Sequence, residues 1–410
     1  MKLFNTKNPY LVYVNTCFLA QFFFTIIFTM NLLYQVQIVK LNPLELVLVG
    51  TVLELTVFLF EIPTGVISDL KSRKLSIVIG YCLMGIGFLV EGLFPVFTAV
   101  VISQVIWGIG YTFTSGSQQA WIADEIGEDR ASSAFITGAK VGNLGKILAI
   151  PLSIGTGYFM INLPIIIGGL CMVGLSIYLI IFMKEEKFKP LDIANRMSSW
   201  QNIKSNMGKI IQYSKASYVM RLLFLIALFI GFYSEGLDRL WISHVFEAAN
   251  LSVLTDQSLV LLLGGIQFII VLLSFTVLYY IDRGSIYKQL KSIYMSLFIG
   301  SFLIVTSLIG FAFSPYIISL LVFYILIQVT REAMYPLEDV WLNKLIPASS
   351  TRATFFSVKG QVDAIGQISG GPVIGLIASG FSIRTAIVCS ALLLTPVLFL
   401  YKIILKKARG

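Results

Sequence analysis

Glu54 and Glu61 lie seven residues apart inside an apolar run. On a helix of 3.6 residues per turn that spacing puts the two carboxyl groups about 20° apart, on one face. A carboxyl group with little water around it keeps its proton more readily than one in solution, so such a pair can bind, pass and release protons. Glu61 is closer to the end of the run, so it could pass a proton on or pair with a basic group there. Behind the pair come Pro63 and Gly65, which weaken the helix as it ends, and then Asp69, Lys71, Arg73 and Lys74, a short charged turn. More charges sit inside other apolar runs: Lys140 and Lys146, then Glu235, Asp238 and Arg239, then Arg331, Glu332, Glu338 and Asp339. Ionised groups in lipid-spanning segments are costly, and they mark functional sites by default.

The elements that must carry these groups are apolar helices. The chain has 410 residues, of which 57% are hydrophobic and 12% charged. That charged share is about half of what a soluble domain carries. Twelve runs are each long enough to cross a bilayer: 11–36, 44–67, 75–95, 97–122, 134–160, 164–184, 219–243, 257–281, 292–313, 315–342, 354–380 and 382–403. The expected fold is all-α and integral to the membrane. Residues 1–184 form one six-helix bundle, 185–218 a polar linker and 219–410 a second bundle. Within the linker, 202–214 can form an amphipathic helix on the membrane surface.

The net charge of +9 does not point to nucleic acid, because its distribution follows the spans. Lys140, Lys146, Arg239, Arg331 and Lys359 lie within spans, and only Lys40 and Arg384 fall in the loops opposite the termini. The remaining basic residues gather on the side of both termini and the linker, which makes that side cytoplasmic. There they meet anionic lipid headgroups. The first run has no small-residue cleavage site after it and reads as a retained helix rather than a signal peptide. Cys17, Cys82, Cys171 and Cys389 all sit in predicted spans without metal-like spacing, so neither disulfides nor a metal site are expected. No nucleophile motif, metal cluster or phosphate-binding glycine loop suggests an enzyme.

Several polar residues leave alternatives open. In the first run Asn15, Gln21, Asn31, Gln35 and Gln37 either bond between helices or line a cavity. Lys146 either faces a polar cavity or pairs with a glutamate of the second run. Glu235 and Arg239 have the i, i+4 spacing of an ion pair on one helix. With Asp238 they form either a self-neutralised gate or a substrate contact. Arg331 and Glu338 share a face with Tyr335 between them. His244, at the end of its run, reads as exposed and non-catalytic.

Gly65, Asp69, Arg73 and Lys74 fall between two hydrophobic runs in the register Gly-x-x-x-Asp-x-x-x-Arg-Lys. This resembles the loop between the second and third helices of the major facilitator superfamily. The halves also echo each other: Trp121, Arg130 and Pro151 correspond to Trp341, Arg352 and Pro372, at offsets near 220 residues. The resemblance implies twelve helices in two pseudo-symmetric bundles, with a substrate site near the midplane and access alternated by rocking of the halves. It implies that Asp69, Arg73 and Lys74 clamp a cytoplasmic gate, with Asp124 or Glu125 as partners. In many proton-coupled exporters of this superfamily an arginine stands four residues before a glycine of the fourth helix. Here Gln104 takes that place before Gly108, so either another group does its work or the coupling differs. Gly366, Gly370, Gly371, Pro372 and Gly375 are similar to the family's glycine- and proline-rich antiporter helix.

The combination of Glu54, Glu61, Pro63, Asp69, Arg73 and Lys74 resembles, more narrowly, the divergent tetracycline exporters of the TetA(P) class. That resemblance implies a bacterial-type cell membrane, an amphipathic drug as substrate and exchange for protons. It implies Glu54 and Glu61 as proton carriers, a functional monomer and no cofactor beyond the proton gradient. A substrate of this class can travel with a bound divalent cation. The alternative is a major facilitator transporter of another small solute or a broader multidrug exporter. Gln21, Asn31, Lys146, Asp238, Arg239 and Arg331 are the candidates for the cavity wall.

Overall fold

A computed structural model describes residues 8–188, 212, 217–284, 286–346 and 352–407. The amphipathic helix expected at 202–214 lies outside the described residues, apart from residue 212. The described chain is helical, in thirteen α-helices: α1 (Pro9–Gln37), α2 (Pro43–Leu70), α3 (Arg73–Leu93), α4 (Phe97–Thr114), α5 (Ser117–Ile126), α6 (Glu128–Phe159), α7 (Leu163–Phe182), α8 (Tyr218–Ala249), α9 (Asp256–Arg283), α10 (Leu290–Phe313), α11 (Ile317–Leu345), α12 (Arg352–Gly380) and α13 (Ile383–Lys407). Among the described residues, eleven candidate spans are long and apolar enough to cross a membrane, with α4 and α5 together making one. Helix α6 is a twelfth long helix of 32 residues, made less apolar by Lys140, Lys146 and its glycines.

Local chemistry sets the boundaries. Pro9 opens α1 behind Asn8, whose side chain accepts from the Tyr10 amide at 3.0 Å. Ser72 caps α3 by accepting from the Leu75 amide at 2.9 Å. The expected span 97–122 is broken at Gly116 (φ +71°), and Gly127 (φ +85°) separates α5 from α6. Side chains rarely adopt such angles, so glycine makes both breaks possible. Pro63 and Gly65 do not end α2, which runs through both to Leu70. Prolines are tolerated inside membrane helices, where neighbouring groups take up the freed backbone positions. The charged turn is therefore short: Asp69 is still helical and Arg73 already begins α3.

Two compact units share the chain: residues 1–41, 52–196 and 254–265 form unit 1, and 42–51, 197–253 and 266–410 form unit 2. A purely sequential cut would exchange the stretches 42–51 and 254–265. In unit 1, α3 packs on both α4 and α7, and α1 on α6. The α3–α4 approach is so close that a Cβ on Gly110 would sit 2.6 Å from the Gly80 carbonyl, which only glycine permits. In unit 2, α8 packs on α12 and α13, and α10 on α11 and α13. Both units carry large apolar side chains outward. Leu144, Leu148 and Leu152, four residues apart, are exposed in a row along α6. Such a surface suits lipid rather than water. The protein is a multi-pass membrane protein.

Candidate functional site

Polar groupings are built on these helices in both units. The first lies where α2 turns into α3. The Arg73 guanidinium bonds the Asp124 carboxylate on α5, and its other nitrogen lies 3.8 Å from Asp69, one turn back on α2. The Phe188 ring lies 5.8 Å from the guanidinium carbon. Glu185 receives the amides of Arg73 (2.7 Å) and Lys74 (3.0 Å), so a carboxylate sits on the amide-rich start of α3. Glu125 receives the amides of Glu186 (2.8 Å) and Lys187 (2.9 Å). Trp121 donates its indole N–H to the Lys184 carbonyl at 2.8 Å. The start of α3, helix α5 and the segment after α7 are thus tied together by charge-assisted bonds.

The second grouping is a cavity of about 520 Å³ within unit 1, with walls from α1, α3, α4, α5 and α6. Tyr13, Phe24, Tyr81, Tyr111 and Phe135 give it an aromatic lining. Gln21, Gln118, Gln119 and Asn143 add amides, and Lys146 is the cation on the wall among the described residues. Glu54 and Glu61 are half-buried on α2, and Tyr111 lies within electrostatic range of both. One wall residue of the cavity therefore feels both acids.

The third grouping lies in unit 2. Arg331 on α11 grips Asp238 on α8 with both terminal nitrogens, one of them at 2.8 Å from Oδ2. It also donates to the Tyr335 hydroxyl at 3.3 Å and lies 5.9 Å from the Tyr233 ring centre. Arg239 Nε bonds Glu235 at 3.0 Å along α8. Lys359 on α12 joins Glu338 (3.1 Å) and Asp339 (3.2 Å). Asp363 accepts from the Gln367 amide at 2.8 Å.

A sequence profile of the Major Facilitator Superfamily matches residues 13–327. The chain belongs to that superfamily. The uncharacterized MFS-type transporter YxaM of Bacillus subtilis (strain 168) is 26% identical over 374 residues, 88% of each chain. Among solved structures, the nucleoside transporter NupG covers 97% of this chain and 99% of its own at a TM-score of 0.72 and 16% identity. A bacterial homologue of the human lysosomal transporter Spinster covers 97% and 96% at a TM-score of 0.74 and 13% identity. At such identities these two structures speak for the fold alone.

Within this major facilitator chain, the residues singled out from the sequence separate clearly. Asp69, Arg73 and Asp124 come together, while Lys74 turns to the Ile180 carbonyl at 2.9 Å and Glu125 is taken up by the backbone of residues 186 and 187. Pro63 and Gly65 lie within α2. Gln21 and Lys146 line the unit 1 cavity. Arg239 is held by Glu235, as its spacing suggests, whereas Arg331 bonds Asp238 and leaves Glu338 to Lys359. Asn31 is not on the cavity wall: it is buried and donates to Glu91 at 2.8 Å. His244 is not exposed. It is buried at 2% exposure and bonds the Phe311 carbonyl at 3.0 Å, because α8 runs on to Ala249 and carries it inside the helix packing.

Two acids escaped the sequence reading. Glu91 on α3 is completely buried. Its carboxylate accepts from Asn31, Gln35 (2.7 Å), Ser103 (3.1 Å) and Gln104 (3.3 Å), and Tyr34 donates to its backbone carbonyl at 2.7 Å. Gln104, in the position where exporters carry arginine, is thus a partner of this acid, and it also accepts from the Trp107 indole at 3.0 Å. Asp363 on α12 is the other. The signal that marked Glu54, an acid inside a long apolar run, was present for both.

Proposed function

We propose that this major facilitator protein is a proton-coupled exporter of tetracycline-like amphipathic drugs, working by alternating access from a bacterial-type cell membrane with both termini in the cytoplasm. The observation that carries this reading is Tyr111: it belongs to the wall of a drug-sized, aromatic and amide-lined cavity and lies within electrostatic range of both Glu54 and Glu61. A proton on either acid and a molecule in that cavity would each alter the electrostatic cost of the other. That is the energetic basis of exchange, since coupling between two ligands is reciprocal. Glu54 is the main proton carrier, and Glu61 acts as relay or as a charge partner near the end of α2. The Asp69–Arg73–Asp124 group, with Pro63, Gly65 and Lys74 around it, serves as the gate clamp. Gln21 and Lys146 contact the cargo on the unit 1 side, and Asp238, Arg239 and Arg331 set the charge of unit 2. The transporter acts as a monomer, needs no cofactor and uses the proton gradient. A drug that chelates a divalent cation can be carried as the complex.

Expression in a drug-sensitive host tests the cargo. Tetracycline tolerance should rise several-fold with the wild-type chain and not with Glu54→Gln. Unchanged tolerance, together with uptake or release of a nucleoside, peptide or sugar, would favour the reading as a facilitator for another solute.

A further inference from the structure

Unit 2 holds a cavity of about 320 Å³ between α8, α11 and α12, and among the described residues the charges on its wall do not balance. Four carboxylates line it, Asp238, Glu338, Asp339 and Asp363, against two cations, Arg331 and Lys359. Asp238 is fully engaged by Arg331 through two parallel bonds. Glu338 and Asp339 share the single Lys359 ammonium. Asp363 has only a neutral partner, the Gln367 amide, which bonds one of its two oxygens. The other oxygen is left to the cavity. Among the groups facing Asp363, α8 supplies only an acid already paired, and the cations of α11 and α12 are both held by other acids. The rest of the wall includes the Tyr335 and Phe356 rings and apolar Ala227 and Ile230.

We propose that this cavity is a binding site for an organic ammonium group, with the Asp363 carboxylate as its counter-charge. The charge balance selects the sign. An anionic group would add to an existing negative excess, and a neutral one would leave a largely enclosed carboxylate with no cation bonded to it. The volume and the aromatic rings select an organic cation over a bare metal ion: calcium or magnesium asks for about six or more oxygen ligands, zinc favours the nitrogen and sulfur donors that are missing from the described wall, and among the described residues Asp363 is the wall carboxylate without an ion-pair partner. An ammonium group can bond the free oxygen of Asp363 while the faces of Tyr335 and Phe356 attract its positive charge. The inference rests on the transport reading above and narrows its cargo to amphipathic molecules that carry an amine.

The test uses the purified full-length protein in detergent with two fluorescent probes, ethidium as a permanently charged aromatic cation and Nile red as a neutral one. Wild type should bind ethidium, and Asp363→Asn should weaken that affinity at least tenfold. Asp363→Glu should recover most of it, and Nile red affinity should stay the same in all three. Should the asparagine variant fail to fold, wild type alone suffices. Ethidium should then protect Asp363 from a carbodiimide label, read by mass spectrometry of the α12 peptide. Unchanged ethidium affinity in Asp363→Asn, or labelling of Asp363 that ethidium does not reduce, overturns the proposal. So does an Asp363→Asn protein that loses the pH dependence of transport but binds ethidium normally, since the carboxylate is then a proton site. If the wild type exchanges neutral drugs for protons yet ignores ethidium, this site falls and export stands. If ethidium binds at Asp363 but no drug moves with protons, export falls and the site stands.

Discussion

Glu91 shows what one buried acid demands of its surroundings. Its carboxylate accepts from four neutral donors on α1 and α4. Leaving a buried donor unsatisfied costs about 1–3 kcal/mol. Glu91→Leu strips the shared acceptor from Asn31, Gln35, Ser103 and Gln104 together, so thermal unfolding in detergent should begin several degrees lower. Glu91→Gln, which keeps one carbonyl oxygen, should cost less than half as much. A leucine variant as stable as wild type would mean that the amides find partners elsewhere. Glu91 was legible in kind but not in role. An acid inside the run 75–95 is visible in the sequence, yet its partners on α1 lie 56 and 60 residues away and nothing local announces them. His244 failed for the reverse reason: nearness to the end of a run suggested exposure, but the helix continues past it.

At the scale of elements, the turn between α2 and α3 works as a joint. Arg73 reaches forward to α5 and backward to Asp69 on α2, while Glu185 holds the start of α3 by its amides. Arg73→Ala removes the tie to α5 but leaves the Glu185 cap, so α3 should still form. Transport should fall several-fold while drug binding to the solubilised protein stays near wild type. Arg73→Lys should recover part of the rate, because an ammonium restores the charge but not the planar fork that reaches two acids. Loss of drug binding with a normal transport rate per bound drug would show that Arg73 belongs to the cargo site. Here the sequence was informative in part: the register between two apolar runs marked Asp69 and Arg73, and the family resemblance offered Asp124 or Glu125 as partners, of which Arg73 bonds Asp124. The fate of Glu125 was not readable, because its partners are backbone amides of residues 186 and 187, and amides leave no mark in composition.

For the whole molecule, apolar runs long enough to span a bilayer made the helical membrane fold readable. The break at Gly116 and the continuation of α2 through Pro63 were not, because both depend on local backbone angles rather than hydropathy. The basic residues around the termini and the linker predict a cytoplasmic location for both. Reporter fusions at Gly410 and after Asn202 should each give a cytoplasmic signal, and an external signal at either would break the proposed orientation. The central claim is that a proton taken up at Glu54 drives drug out. The most direct measurement is tetracycline accumulation in vesicles holding the purified protein, with a pH gradient imposed across the membrane. Wild type should move drug against its concentration gradient, with a rate that follows the size of the pH difference. Glu54→Gln should bind drug and exchange it downhill but lose uphill movement, with Glu61→Gln impaired less. Vesicles of Glu54→Gln that still concentrate drug with unchanged pH dependence would contradict the claim.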